Sequence, residues 1–175
     1  PPPEISEYAS AISASVREAC DRFGLDEPRL ILEPGRAIIG RAGVAVYTVG
    51  GTKDIPGVRK YVSVDGGMGD NIRPALYGAG YSVVKANSPA EAPTGDVTIA
   101  GKYCESGDLL VKDAPMPDLA PGDVVAIASS GAYNLSMASN YNMSLRPAVV
   151  LVKDGEAKLI RRRETYDDLL ASSVM

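Results

Sequence analysis

Four short stretches hold residues whose types and spacing suit chemistry. In EPGR, Glu33 to Arg36, Pro34 keeps Glu33 extended, Gly35 lets a ligand approach the backbone, and Arg36 offers a fork of donors for phosphate or carboxylate. A carboxylate and an arginine at the carboxyl end of an apolar strand stand where barrel enzymes do chemistry. The same four residues equally describe a strand-ending turn with a surface ion pair. In VDGGMGDNIRPALYG, residues 64–78, a glycine-rich turn precedes Arg73 and Tyr77, which share a helical face and could grip a carboxylate. It reads equally well as a turn and a capped helix. It lacks the Gly-Lys-Ser/Thr ending and long following helix of a nucleotide loop. SSGAYN, residues 129–134, places Tyr133 after small residues that allow close backbone approach, though such a run is common. GKYCESGDLL, residues 101–110, sets Cys104 on a polar turn continued by Glu105, Ser106, Gly107 and Asp108, where a structural thiol would have apolar neighbours.

Composition narrows what these groups can do. The chain has 175 residues and contains no histidine and no tryptophan. Without histidine, Ser-His-Asp and Cys-His catalysis and most metal sites are excluded, leaving carboxylates, Lys, Arg, Tyr, Cys or a cofactor. No metal is expected. A net charge of -4 argues against nucleic acid as a partner, and Arg161-Arg162-Arg163 reads as a solvated strand edge. No apolar run approaches a membrane span and no signal peptide is visible. Two cysteines make neither a disulfide framework nor a zinc site, so a reducing cytoplasm fits. Cys20 falls on the apolar side of the first helix and reads as structural.

These groups must be positioned by two kinds of element. Ile5, Ala9, Ile12, Val16, Ala19 and Phe23 recur at helical spacing, and Gly24 supplies a stop. Leu30 to Leu32 then read as a short buried parallel strand, so the start resembles the tail of an α/β unit whose partner strands lie outside this sequence. From residue 43 the pattern changes to strands punctuated by Gly, Pro and Asp, with Asp154-Gly155 as a hairpin signal. Helical pieces are expected at Ile72–Tyr77 and Tyr166–Ala171, with a turn near Leu135–Tyr141. The pattern predicts a mainly β fold, an antiparallel barrel or sandwich.

In their joint order, EPGR, DGGM with RPALY, CESGD and GAY, in a chain ending RRETYDDLL, resemble the carboxyl-terminal half of the diaminopimelate decarboxylases. These are fold-type III pyridoxal-phosphate enzymes, related to ornithine decarboxylases and more distantly to alanine racemases. The resemblance covers essentially the whole chain, and Cys-Glu-Ser-Gly-Asp separates this family from its relatives. It implies decarboxylation of meso-2,6-diaminopimelate to L-lysine and CO2 with pyridoxal 5'-phosphate as cofactor. It further implies a cytoplasmic homodimer with composite active sites. Residues 1–42 would be the last helix and strand of a cofactor-binding (β/α)8 TIM barrel, and residues 43–175 an alanine racemase C-terminal-like β-domain. The alternatives are an ornithine-, arginine- or polyamine-type decarboxylase, or a non-catalytic homologue.

Residue by residue, the resemblance implies that Glu33 lies against the pyridine nitrogen, keeping it protonated so that the ring can take up electrons. Gly35 and Arg36 match residues that hold the cofactor phosphate, and Arg36 also reaches the substrate. Arg73 and Tyr77 match those binding the substrate's non-reacting carboxylate. Glu105, with Ser106 beside it, matches the contact to the distal ammonium. Tyr133 matches a residue touching both cofactor and substrate. Cys104 matches the proposed proton donor, presented by the other subunit. The family's Schiff-base lysine precedes all of these motifs, on the amino-terminal barrel, and none of the lysines here matches it. The expectation is therefore a carboxyl-terminal fragment, inactive alone, that works with the barrel part of the same protein on a small amino-acid substrate.

Overall fold

A computed structural model describes residues 3–174. Its compact units divide after Pro34. In the first, helix α1 (Ile5–Phe23) follows the predicted stripe. The carboxylate of Glu7 accepts from the backbone N–H of Glu4 at 2.9 Å, satisfying one unpaired donor at the helix start. Gly24 ends the helix at φ 63°, a left-handed turn that costs glycine little. Cys20 is buried and its thiol lies 3.7 Å from the carbonyl of Asp26, in keeping with a structural role.

The strand expected at Leu30–Leu32 does not form. The segment is irregular, and these side chains are 43%, 76% and 55% exposed. A parallel strand exists only as a ladder with neighbours, and no described strand pairs with this segment. An apolar run alone cannot supply them.

From Gly35 onward the chain is a sheet unit. Short helix α2 (Gly35–Ile39) and a 3-10 turn (Gly40–Ala42) lead into β1 (Ala45–Ile55) and β2 (Arg59–Val64). Helix α3 (Arg73–Tyr77) and β3 (Val83–Lys85) follow, then β4 (Gly95–Ala100), β5 (Leu109–Met116) and β6 (Val124–Ile127). These six strands form one sheet in the order β3-β6-β1-β2-β4-β5. All its pairings are antiparallel except β2 with β4. Edge strands β3 and β5 approach one another, so the sheet curls toward closure and is nearly barrel-shaped. The expectation of a mainly β, barrel-like unit is borne out.

The parallel pairing matters for function. Parallel neighbours need a crossover connection, and the chain from β2 to β4 is that crossover. It carries the glycine-rich turn and α3, with Arg73 and Tyr77. The core beneath is built by period-two alternation. Tyr47 and Val49 of β1 point inward with Val62, Val64, Ile99, Leu110, Met116, Val125 and Ile127.

A separate hairpin, β7 (Val149–Lys153) and β8 (Glu156–Arg161), turns at Asp154 and Gly155, whose φ angles of 52° and 81° are those of a type I′ turn. Helix α4 (Tyr166–Leu170) is capped by Thr165, which exchanges hydrogen bonds with Asp168. Among the described residues no helix is long and apolar enough to cross a membrane.

Candidate active site

Three loops of the sheet unit bring most of the predicted residues together. The first is the start of α2. A side chain built on Gly35 would stand 3.0 Å from the Tyr133 hydroxyl. One residue on, the Arg36 guanidinium lies 5.8 Å from the Tyr133 ring centre. The second loop is α3, where the Arg73 guanidinium lies 5.2 Å from the Tyr77 ring and 5.2 Å from the Tyr133 ring. Arg36, Tyr133, Arg73 and Tyr77 thus alternate, cation against ring, in one cluster. Arg73 and Tyr77 share a helical face, as their spacing predicts.

Tyr133 reaches this position through an unusual backbone. Its φ is 66°, a left-handed conformation rare outside glycine. The preceding loop is pinned against the start of the unit: Ser130 N–H donates to Gly43 O at 2.8 Å and Gly131 N–H to Gly40 O at 3.0 Å. A Cβ on Gly131 would sit 2.1 Å from the carbonyl oxygen of Ile39. The small residues before Tyr133 therefore admit a second stretch of backbone.

The third loop is the CESGD turn. Cys104 and Glu105 are exposed, and the Cys104 thiol is free. Gly107 faces α3, where a Cβ would lie 3.6 Å from that of Ala75. The turn that carries Cys104 and Glu105 therefore packs on the helix that carries Arg73 and Tyr77. Glu105 accepts a hydrogen bond from the Tyr141 hydroxyl.

Asp108 joins two of these loops, and nothing in its local sequence pointed to that. It is 3% exposed. Its carboxylate accepts from Met68 N–H at 2.6 Å, in the glycine-rich turn, and from Tyr103 N–H at 2.8 Å, beside Cys104. Both Gly67 and Gly101 leave it room, since a Cβ on either would come within 2.5 Å of it. The glycines of DGGMG are thus small to admit Asp108 and the rings of Tyr47 and Tyr103. Burial pushes the Asp108 carboxyl up, against the pull of the Tyr103 and Met68 hydrogen bonds. Burial raises Tyr47 as well, and the neighbouring Asp70 adds to it.

The cluster's charge suits an anionic ligand. Among the described residues neither Arg36 nor Arg73 has a carboxylate partner. Among the described residues three buried side-chain nitrogens make no hydrogen bond: Asn71 Nδ2, Arg73 Nε and Asn134 Nδ2. All three are donors, and all lie in the segments that carry Arg73 and Tyr133. Buried donors call for acceptors, and phosphate and carboxylate groups are rich in them. Glu33, the remaining predicted residue, belongs to the first unit.

Residues 14–131 match the family described as the pyridoxal-dependent decarboxylases, C-terminal sheet domain. The chain belongs to this family. It is 54% identical over 169 residues to the diaminopimelate decarboxylase of Synechocystis sp., covering 97% of this chain and 36% of that protein. It is 52% identical to that of Bacillus subtilis, covering 97% and 38%. The crystal structure of the M. jannaschii diaminopimelate decarboxylase superposes with a TM-score of 0.84 at 38% identity, covering 99% of this chain and 39% of that one. The same enzyme in co-complex with L-lysine superposes at 0.81 and 39% identity, covering 95% and 37%. The chain thus spans little more than a third of the length of the relatives it matches.

Proposed function

We propose that this chain supplies the carboxyl-terminal part of a cytoplasmic, homodimeric enzyme that decarboxylates meso-2,6-diaminopimelate to L-lysine and CO2. The reaction consumes one proton as CO2 leaves. The observation that carries this reading is the cluster in which Arg36, Tyr133, Arg73 and Tyr77 alternate, with neither arginine paired to a carboxylate among the described residues. Arg73 and Tyr77 would hold the distal carboxylate there, and Glu105, next to Cys104 on its turn, would be presented with that thiol by the partner subunit to meet the distal ammonium. A substrate with a carboxylate and an ammonium at its remote end needs both. Holding them fixed lets remote binding energy orient the reacting centre. A substrate lacking the distal carboxylate would leave Arg73 unpaired and be penalised.

Pyridoxal phosphate, when bound, would supply the sink for the electron pair left on the α-carbon when CO2 departs. On this reading Gly35 and Arg36 hold its phosphate, and Tyr133, against Arg36, bounds both cofactor and substrate. Glu33 sits by the pyridine nitrogen as a hydrogen-bond acceptor and keeps its proton in place. Arg36 also reaches the substrate. Cys104 returns a proton to the α-carbon from the partner subunit, a task that suits its free, exposed thiol. The cofactor-holding lysine comes from the amino-terminal barrel part of the same protein, which residues 1–42 would complete, with the β-domain running from residue 43.

The test is CO2 release by the complete protein, loaded with cofactor, from a panel of diaminopimelate, lysine, ornithine and arginine. Diaminopimelate should be preferred by at least about a hundredfold in kcat/KM. Preference for a diamine-forming substrate, or no turnover of any, overturns the assignment.

A further inference from the structure

We propose that Tyr141 aims Glu105 at the substrate's distal ammonium, which makes it a specificity-determining positioning residue; this rests on the role given to Glu105 above. The Tyr141 hydroxyl donates to Oε1 of Glu105 across thirty-six residues of sequence. That leaves Oε2 to meet a cation. The Tyr141 ring also meets Tyr103 edge-on, centroids 5.3 Å apart at 75°. Tyr103 directly precedes Cys104 and is itself tied to Asp108. Tyr141 therefore touches the Cys104–Glu105 turn at two points on either side of the thiol.

An exposed glutamate left to itself samples many rotamers, and fixing one costs entropy at the moment of binding. Tyr141 does this in advance only if it is itself held, and it is. Asn140 Nδ2 donates to Ser144 O at 3.0 Å and to Glu164 at 2.6 Å. Ser139 N–H donates to Gly69 O at 2.9 Å, tying the segment to the glycine-rich turn. Asn142 and Met143 follow at φ 52° and 58°, conformations that persist only where surroundings impose them. The hydrogen bond to Glu105 raises the Tyr141 phenol above its ordinary value, so it stays a donor throughout an assay near neutral pH.

A merely structural tyrosine and a positioning one differ in what they do to ligands with and without the distal amine. The probes are diaminopimelate and 2-aminopimelate, which keeps both carboxylates and the reacting amine but lacks the distal one. Tyr141→Phe and Glu105→Gln would each be made in the complete, cofactor-loaded enzyme. For each, the KM for diaminopimelate and the inhibition constant of 2-aminopimelate would be measured. With Tyr141→Phe we expect KM to rise about tenfold, kcat to change less than about twofold, and the inhibition constant to hold within about twofold. A rise shared equally by both ligands, or no rise in either, overturns the inference. Glu105→Gln separates this from the underlying reading. If it too is selective for diaminopimelate, the role of Glu105 stands whatever Tyr141 does. If it is not, that role falls and the inference with it.

Discussion

The buried carboxylate of Asp108 accepts a hydrogen bond from the backbone N–H of Met68, 2.6 Å away across forty residues of sequence. Its other oxygen holds Tyr103. One side chain thereby sets the distance between the turn that leads to Arg73 and the turn that carries Cys104 and Glu105.

Asp108→Asn should expose that role. The amide keeps the shape but offers one acceptor where two N–H groups need one each. A loss of about 1–3 kcal/mol in urea unfolding is expected, with a fall in turnover. Because burial raises the Asp108 carboxyl, its folded pKa lies above the unfolded one. Its contribution therefore favours the fold at low pH and is lost as pH rises through the raised value. The substitution should remove that slope; unchanged stability at neutral pH would show that the two turns are held by other contacts.

Gly131→Ala should be severe, for its Cβ would meet the Ile39 carbonyl oxygen at 2.1 Å, and backbone cannot step aside cheaply. We expect more than about 2 kcal/mol of destabilisation, with Tyr133 displaced. Gly80→Ala is the control, because nothing lies within 4 Å of its Cβ. Thermal denaturation of the pair decides: equal effects would mean that the Gly131 approach is not a packing constraint.

Glu164 carries an acid-labile clamp. It accepts from the side chain of Asn140, from Arg146 N–H at 2.8 Å and from the Arg146 guanidinium, which is the main reason its carboxyl is lowered to about 2 from 4.5. A depressed carboxyl contributes stability that is full above its unfolded value. That stability is lost as pH falls from 4.5 toward 2. Glu164→Gln should flatten this part of the acid-unfolding curve, read by far-ultraviolet circular dichroism, and lower stability at neutral pH. An unchanged acid limb would place the lability elsewhere.

Cys104 should act across a dimer. One complete variant lacking the cofactor lysine and another carrying Cys104→Ala would each be severely impaired. Mixed with free subunit exchange, half of the dimers are hybrids, and one site in each hybrid keeps both groups. Activity should recover to roughly a quarter of the unmutated level per subunit. No recovery, with exchange confirmed by tagged subunits, would mean that Cys104 serves its own subunit or none.

What the sequence determined alone was local. Alternation along β1, the stripe of α1, the stop at Gly24 and the turn at Asp154-Gly155 each depend on residues a few positions apart, so their types suffice. The pairing of Arg73 with Tyr77 was legible for the same reason. Tertiary structure decided whatever depends on partners distant in sequence. Leu30–Leu32 reads as a strand but has no described neighbour to make it one. The parallel pairing of β2 with β4 comes from the crossover between them, which no local pattern records. Asp108 and Tyr141 look like ordinary loop residues until register and turn geometry bring Met68 and Glu105 within hydrogen-bonding reach. Hydrogen bonds act over about 3 Å, and only the folded chain sets which distant groups come that close.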